Sequence, residues 1–206
     1  MQVATPPIDL PGTLAVPLEA TGVVVFAQNG GPDEMYSPNS LLARTLLYSG
    51  LAILIFDLLA PNEARNQDNI ILLADRVDYA IGFVRSCPET AGLPLCLFGT
   101  GTAAAAAFVS AASMPSLVGA VVSRAGRPEL AEDMLKHVRA PTLFIVDGND
   151  TRSLVLNLTA KARMNCHTEL TTLTQPSHSI EETGFERHMP NMVADWFNQH
   201  AGRPCT

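Results

Sequence analysis

The feature that most narrows what this chain can fold into is a series of short, continuously apolar runs. They read VVVFA at Val23–Ala27, LAILIF at Leu51–Phe56, VGAVV at Val118–Val122 and TLFIV at Thr142–Val146, with related runs at Leu95–Phe98 and Thr168–Leu173. A strand with one face in water alternates apolar and polar side chains, because successive residues point to opposite faces. The four runs do not alternate, so both of their faces must be covered. That is the situation of parallel strands joined by crossover helices. Segments with helical apolar spacing lie between the runs. The expected class is therefore α/β, a doubly wound and mostly parallel sheet.

A chain of 206 residues suits one domain of this kind, so residues 1–206 are read as a single unit. Residues 1–18 form an entry segment with room for one edge strand, and residues 199–206 a loose tail. With 47% hydrophobic and 16% charged residues, the chain has enough apolar surface to offset its ordering entropy. The net charge of −7 and the lack of any Lys/Arg run argue against nucleic acid as a partner. The opening MQVATPPIDLPG lacks the basic and apolar regions of a secretion signal, and no apolar run is long enough to cross a bilayer. A soluble, cytoplasmic protein is expected. Cys87, Cys96, Cys166 and Cys205 show no ligand spacing, so no metal is expected, and nothing implies a cofactor. The oligomeric state is left open.

Helix signals agree with this division. Ser37 and Pro38 read as cap and first-turn proline ahead of LLARTLLYSG, with Gly50 as the stop. Asp68 is placed to cap NIILLADRVDYAIGFVRS. There Ile71, Leu72, Val77, Ile81 and Val84 have core-like spacing, and Asp75, Arg76 and Asp78 are expected to face out. The run Ala103–Ala107 directly follows LCLFG, so a helix of small residues should start at that turn and approach the sheet closely.

Ligands of open parallel sheets bind beyond the carboxyl ends of the strands, which directs attention to four turns. These are Gln28-Asn29-Gly30-Gly31, Gly99-Thr100-Gly101-Thr102, Asp147-Gly148-Asn149-Asp150 and Pro176-Ser177-His178. With LFGTGTAAAAA at the second turn, IVDGND at the third and QPSHSIEE at the fourth, the chain resembles the dienelactone-hydrolase-like branch of the α/β-hydrolase superfamily from Val23 to Phe197. The segments SRAGRPEL and FDLLAPNE also look like loops of small members. The resemblance implies an α/β-hydrolase fold without a large cap domain. It also implies action on a small ester, lactone or related carbonyl compound, and a triad in the order nucleophile, acid, histidine. It places Asp150 as the acid and His178 as the base.

Three positions depart from the pattern. Against the family's G-x-S-x-G, Gly101 stands at the nucleophile and Ala103 at the last glycine, while Gln28 replaces the histidine that commonly opens the oxyanion loop. Glycine cannot form an acyl-enzyme, so the covalent route is closed. His178, oriented by Asp150, could instead act as a general base on water or substrate in the space left at residue 101. Backbone donors near Thr102 and Gln28 would stabilise an oxyanion, and Asn29 completes the pocket. Thr100 and Thr102 flank the elbow, but neighbouring side chains at such a turn diverge. Their ordinary role is to cap or brace the helix.

Plainer readings stand beside each of these. Asp150 can cap the helix TRSLVLNLTAKARM, and a loop histidine is often only solvated. Arg124 could meet an anionic substrate, but arginines in this loop, Arg127 included, more often pair with acids such as Glu129 or Glu132. Met35 and Tyr36 could line the pocket mouth or pack the first helix. Gly99-x-Gly101-x-x-Ala104 formally fits a dinucleotide fingerprint, but the region around Val122-Ser123-Arg124 lacks the acid that would hold the ribose. Two alternatives to hydrolysis stay open. One is a pseudohydrolase that binds a small molecule or partner without chemistry. The other is an esterase or lactonase disabled by serine-to-glycine replacement.

Overall fold

The computed structural model describes residues 12–29, 40–173 and 182–202. Every apolar run becomes a strand. They are β2 (Gly22–Gln28), β3 (Leu51–Asp57), β4 (Leu95–Thr100), β5 (Val118–Arg124), β6 (Thr142–Asp147) and β7 (Thr168–Leu173), preceded by a short β1 (Gly12–Ala15) in the entry segment. The sheet order is β1-β3-β2-β4-β5-β6-β7. Among the described strands only β1 runs antiparallel, pairing Gly12 with Phe56 at the edge beside β3. The expected doubly wound sheet is what forms.

Among the described residues five α-helices cover the two faces: α1 (Leu41–Tyr48), α2 (Ile70–Ser86), α3 (Gly101–Ser113), α4 (Thr151–Arg163) and α5 (Glu182–His200). Because strand side chains alternate, each central strand feeds both layers. Val23, Val25 and Ala27 of β2 pack with residues of α2 and α3, including Val77, Ile81, Ala105 and Phe108. Val24 and Phe26 pack with Leu42 and Leu46 of α1 and with Val193 and Phe197 of α5. This two-sided burial explains why the runs carry no polar alternation.

Three local expectations need correcting. Asn69, not Asp68, caps α2, its side-chain oxygen accepting from Leu72 N at 3.2 Å. Val77, Ile81 and Val84 of α2 are buried as expected, but Ile71 is 77% exposed and Arg76 is buried. Arg76 turns inward because Glu63, in the 3-10 segment Pro61–Asn66, meets its guanidinium with two hydrogen bonds of 2.8 Å. A third donation, to Leu58 O, adds to the hydrogen bonding of this buried side chain. The cap of α1 is Ser40, which accepts from Ala43 N at 3.1 Å, whereas Ser37 and Pro38 lie outside the described residues. Gly50 does stop that helix, at φ +80°.

Strand order reverses between β2 and β4: from β2 the chain winds to β3 on one side, and from β4 through β5, β6 and β7 on the other. A crevice opens at such a switch point beyond the carboxyl ends of the two strands. Gln28-Asn29 and Thr100-Gly101-Thr102 lie at those carboxyl ends.

Candidate active site at the sheet switch point

Strand β4 passes into α3 without a loop, Thr100 being its last residue and Gly101 the first of the helix. Gly101 holds φ +52°, a left-handed conformation costly for most L-residues, so the chain reverses sharply there. A side chain built on Gly101 would have no atom within 4 Å among the described residues. Gly99 shows the opposite constraint, since a Cβ there would lie 2.6 Å from Ala104 Cα. The first glycine lets the helix close onto the strand, and the second leaves an empty position pointing outward. Small residues continue this contact, Ala103 to Ala107 being fully or almost fully buried.

Thr100 takes the N-cap position of α3 but makes no side-chain cap hydrogen bond, contrary to the capping role expected of its hydroxyl. The amino end of α3 thus has no side-chain cap among the described residues, and the positive end of the helix dipole lies at this end. Thr102 braces the neighbouring loop: its hydroxyl accepts from Asn29 Nδ2, which also approaches Gln67 O at 3.4 Å. On the far side, Arg127 N donates to Gly101 O at 2.9 Å, fastening the elbow to the loop after β5.

Gln28 ends β2 in register with Asp57 of β3, and its Nε2 donates to Asp57 Oδ1 at 3.0 Å. Two side-chain oxygens here, Gln28 Oε1 and Asn29 Oδ1, are buried and have no hydrogen-bond donor. Asp57 was not singled out from sequence, although it directly follows an apolar run at the carboxyl edge, the very rule that found Gln28. Ser123 was also missed: it lies beside Gly99 in the β4–β5 register, fully buried, and its hydroxyl lacks a partner.

Asp150 follows β6 at the same edge and caps α4, Oδ1 accepting from Ser153 N at 2.9 Å and Oδ2 from Ser153 Oγ at 2.7 Å. These bonds hold its carboxyl below the usual aspartate range, the backbone N–H contributing most. The capping role is thus observed. It leaves further lone pairs on both oxygens for a second donor. His178, Met35 and Tyr36 lie outside the described residues. Arg124 is the last residue of β5, opposite Thr100, and Arg127 pairs with Glu129 at 3.1 Å and Asp68 at 3.3 Å. The local-acid reading of Arg127 is correct. Among the described residues no cluster of metal-ligating side chains is present, and no helix is long and apolar enough to span a membrane.

Comparison with known proteins adds sequence kinship to this geometry. No family model matches the chain. A dienelactone hydrolase from Anabaena variabilis superposes with a TM-score of 0.84 at 37% identity, covering 97% of this chain and 95% of that one. Est1E from Butyrivibrio proteoclasticus gives 0.73 at 10% identity, with 97% of each chain covered. A monoacylglycerol lipase from Paleococcus ferrophilus gives 0.70 at 12% identity, covering 94% of this chain and all of that one. The last two share the fold alone. Two Mycobacterium tuberculosis proteins, from strains CDC 1551 / Oshkosh and H37Rv, are 41% identical over 207 residues, and each is named "putative phosphoribosyl transferase". The match takes in 99% of this chain but 47% of theirs, so the chain spans about half the length of these relatives.

Proposed function

Because the chain belongs to the dienelactone hydrolase family of α/β-hydrolase-fold proteins, we propose that it acts on a small ester, lactone or related carbonyl compound. In this proposal no covalent intermediate forms. The observation that carries the reading is the elbow itself: a positive-φ glycine at the β4–α3 junction, bare of any side chain, which this proposal aligns with the family's nucleophile position.

The substrate carbonyl sits over the amino end of α3, its oxygen facing the N–H of Thr102 and the backbone beside Gln28. Water occupies the space over Gly101. His178 Nε2 takes a proton from that water as its oxygen bonds to the carbonyl carbon, and Asp150 stabilises the imidazolium through Nδ1. The tetrahedral intermediate collapses with cleavage of the acyl C–O bond, and the leaving alkoxide takes the proton back from His178. General-base action contributes about 10²–10⁴-fold and an oxyanion donor about 10²–10³-fold. Hydrolysis without a serine is therefore physically sufficient for a slow enzyme.

A transferase reading has less support. The proteins so named carry more than half of their length outside the matched stretch. The test is kinetic: esters and lactones are screened with the parent protein and with His178→Ala. A fall in kcat/KM of about 10²-fold or more supports the general-base role. Unchanged rates refute it, and binding without turnover by either protein points to a pocket that binds but does no chemistry.

A further inference from the structure

A cavity of about 710 Å³ opens at the amino ends of β4, β5 and β6, where Leu95, Val118 and Pro141 belong to its wall. Strand β4 separates it from the elbow, its six residues putting roughly 17 Å between Leu95 and Thr100. The cavity is therefore not the site already described. Its volume falls in the range of roughly 300–1,000 Å³ that holds small organic ligands.

The described residues that line it include two arginines and no acid. Arg85 lies in the last turn of α2. Among the described residues its guanidinium meets carbonyl oxygens alone: Nη1 donates to Ala91 O at 2.9 Å and Leu93 O at 2.7 Å, and Nη2 reaches Leu117 O only at 3.5 Å, in an exposed contact. Carbonyls carry no net charge, so these bonds leave the guanidinium charge unbalanced, and Nη2 keeps donor capacity for another acceptor. Arg139 adds a second, exposed guanidinium to the same wall. Helix ends oppose this charge, since Pro115 follows the end of α3 and Ala201 that of α5, and both line the cavity. Each helix end amounts to about half a negative charge that fades within a turn, so the two full charges of the arginines prevail. Leu93, Pro94, Pro115, Leu117 and Pro141 supply apolar surface beside them.

We propose that this cavity is a second binding site, for a small organic oxyanion whose carboxylate or phosphate group is held by Arg85 and Arg139 and whose apolar body lies against the leucines and prolines. The planar N–H fork of a guanidinium matches the paired oxygens of either group. The inference does not depend on the hydrolase reading, because no residue of the elbow takes part in it.

Benzoate, phenyl phosphate and the neutral benzamide are the probes, each titrated by calorimetry at low ionic strength. The expected result is that one of the anions binds about tenfold or more tightly than benzamide, and the tighter anion identifies the group the site prefers. Arg85 ties three carbonyls together, so the substitutions spare it and bring a negative charge to the wall elsewhere. A Cβ on Gly92, another lining residue, would meet no atom within 4 Å, and Arg139 is exposed. Gly92→Glu and Arg139→Glu should each weaken binding of the anion by roughly fivefold or more and leave benzamide unchanged. Circular dichroism with melting establishes that each variant is folded, and if one is not, the other carries the test. No binding of either anion at millimolar concentration, or equal affinities for the anions and benzamide, overturns the proposal. So does an anion affinity unmoved in either folded variant, which would place the anion elsewhere on the protein.

Discussion

At the scale of single residues, the two glycines of the elbow have different physical reasons for being there, and substitution separates them. Alanine at residue 99 would press its Cβ to within 2.6 Å of Ala104 Cα, a backbone atom that cannot swing aside. Overpacking of this kind costs about 1–3 kcal/mol. Alanine at residue 101 meets open space and pays only for its φ of +52°, about 1–2 kcal/mol. Gly99→Ala should therefore also disturb the β4–α3 contact, visible as lost amide-exchange protection in α3, while Gly101→Ala lowers Tm with that protection intact. Asp150 offers a second residue-scale prediction. Its folded-state pKa is lowered, so the capping bonds contribute stability above the ordinary aspartate range, and that contribution is lost as pH falls through the folded value. Ser153→Ala should shrink this acid-side loss in a pH series of Tm values, by lowering Tm at neutral and higher pH while leaving the acid end unchanged.

At the scale of elements, the strands were legible because their burial on both faces writes an unbroken apolar run, a purely local signal. The helix α2 was less so. Its core residues Val77, Ile81 and Val84 were readable, but the burial of Arg76 depends on Glu63, 13 positions earlier and in a different segment. No periodicity within α2 reports that partner. The same pair makes a pH prediction: Arg76 pulls the Glu63 carboxyl down to about 2, with help from the Ala60 N–H. A carboxyl lowered on folding stabilises above its unfolded pKa, so the benefit is complete above roughly pH 5 and disappears as pH falls toward 2. Glu63→Gln should remove that slope from an acid titration of Tm and leave Arg76 buried with a weaker partner, lowering Tm at neutral pH as well. Caps were readable only to within a few positions. Asp68 and Asn69 are both good capping residues, and which one serves depends on where the preceding 3-10 segment releases the chain.

At the scale of the whole molecule, topology does what no single motif could, since it brings residues 28–29, 57, 100–102, 124 and 147–150 to one edge of one sheet. The strand-end rule and the order of parts were enough to find most of that edge from sequence. The unmet acceptors of Gln28 and Asn29 were not foreseeable. Their orientation depends on Asp57 and Gln67, which sequence alone does not place beside them. The two-sided packing on this sheet also makes the elbow a rigid part of the core, with Ala103 to Ala107 held between β4 and the outer helices. A rigid elbow keeps its geometry when a side chain is added to it.

That rigidity exposes the central claim, that residue 101 occupies the nucleophile position of a working hydrolase scaffold, to one measurement. Gly101→Ser is mixed with p-nitrophenyl acetate and its intact mass is recorded during the first turnovers, beside the parent protein. An acetyl adduct on the introduced serine, with a burst of nitrophenol and no adduct on the parent, is the predicted result. A folded variant that gains neither adduct nor burst would contradict the assignment.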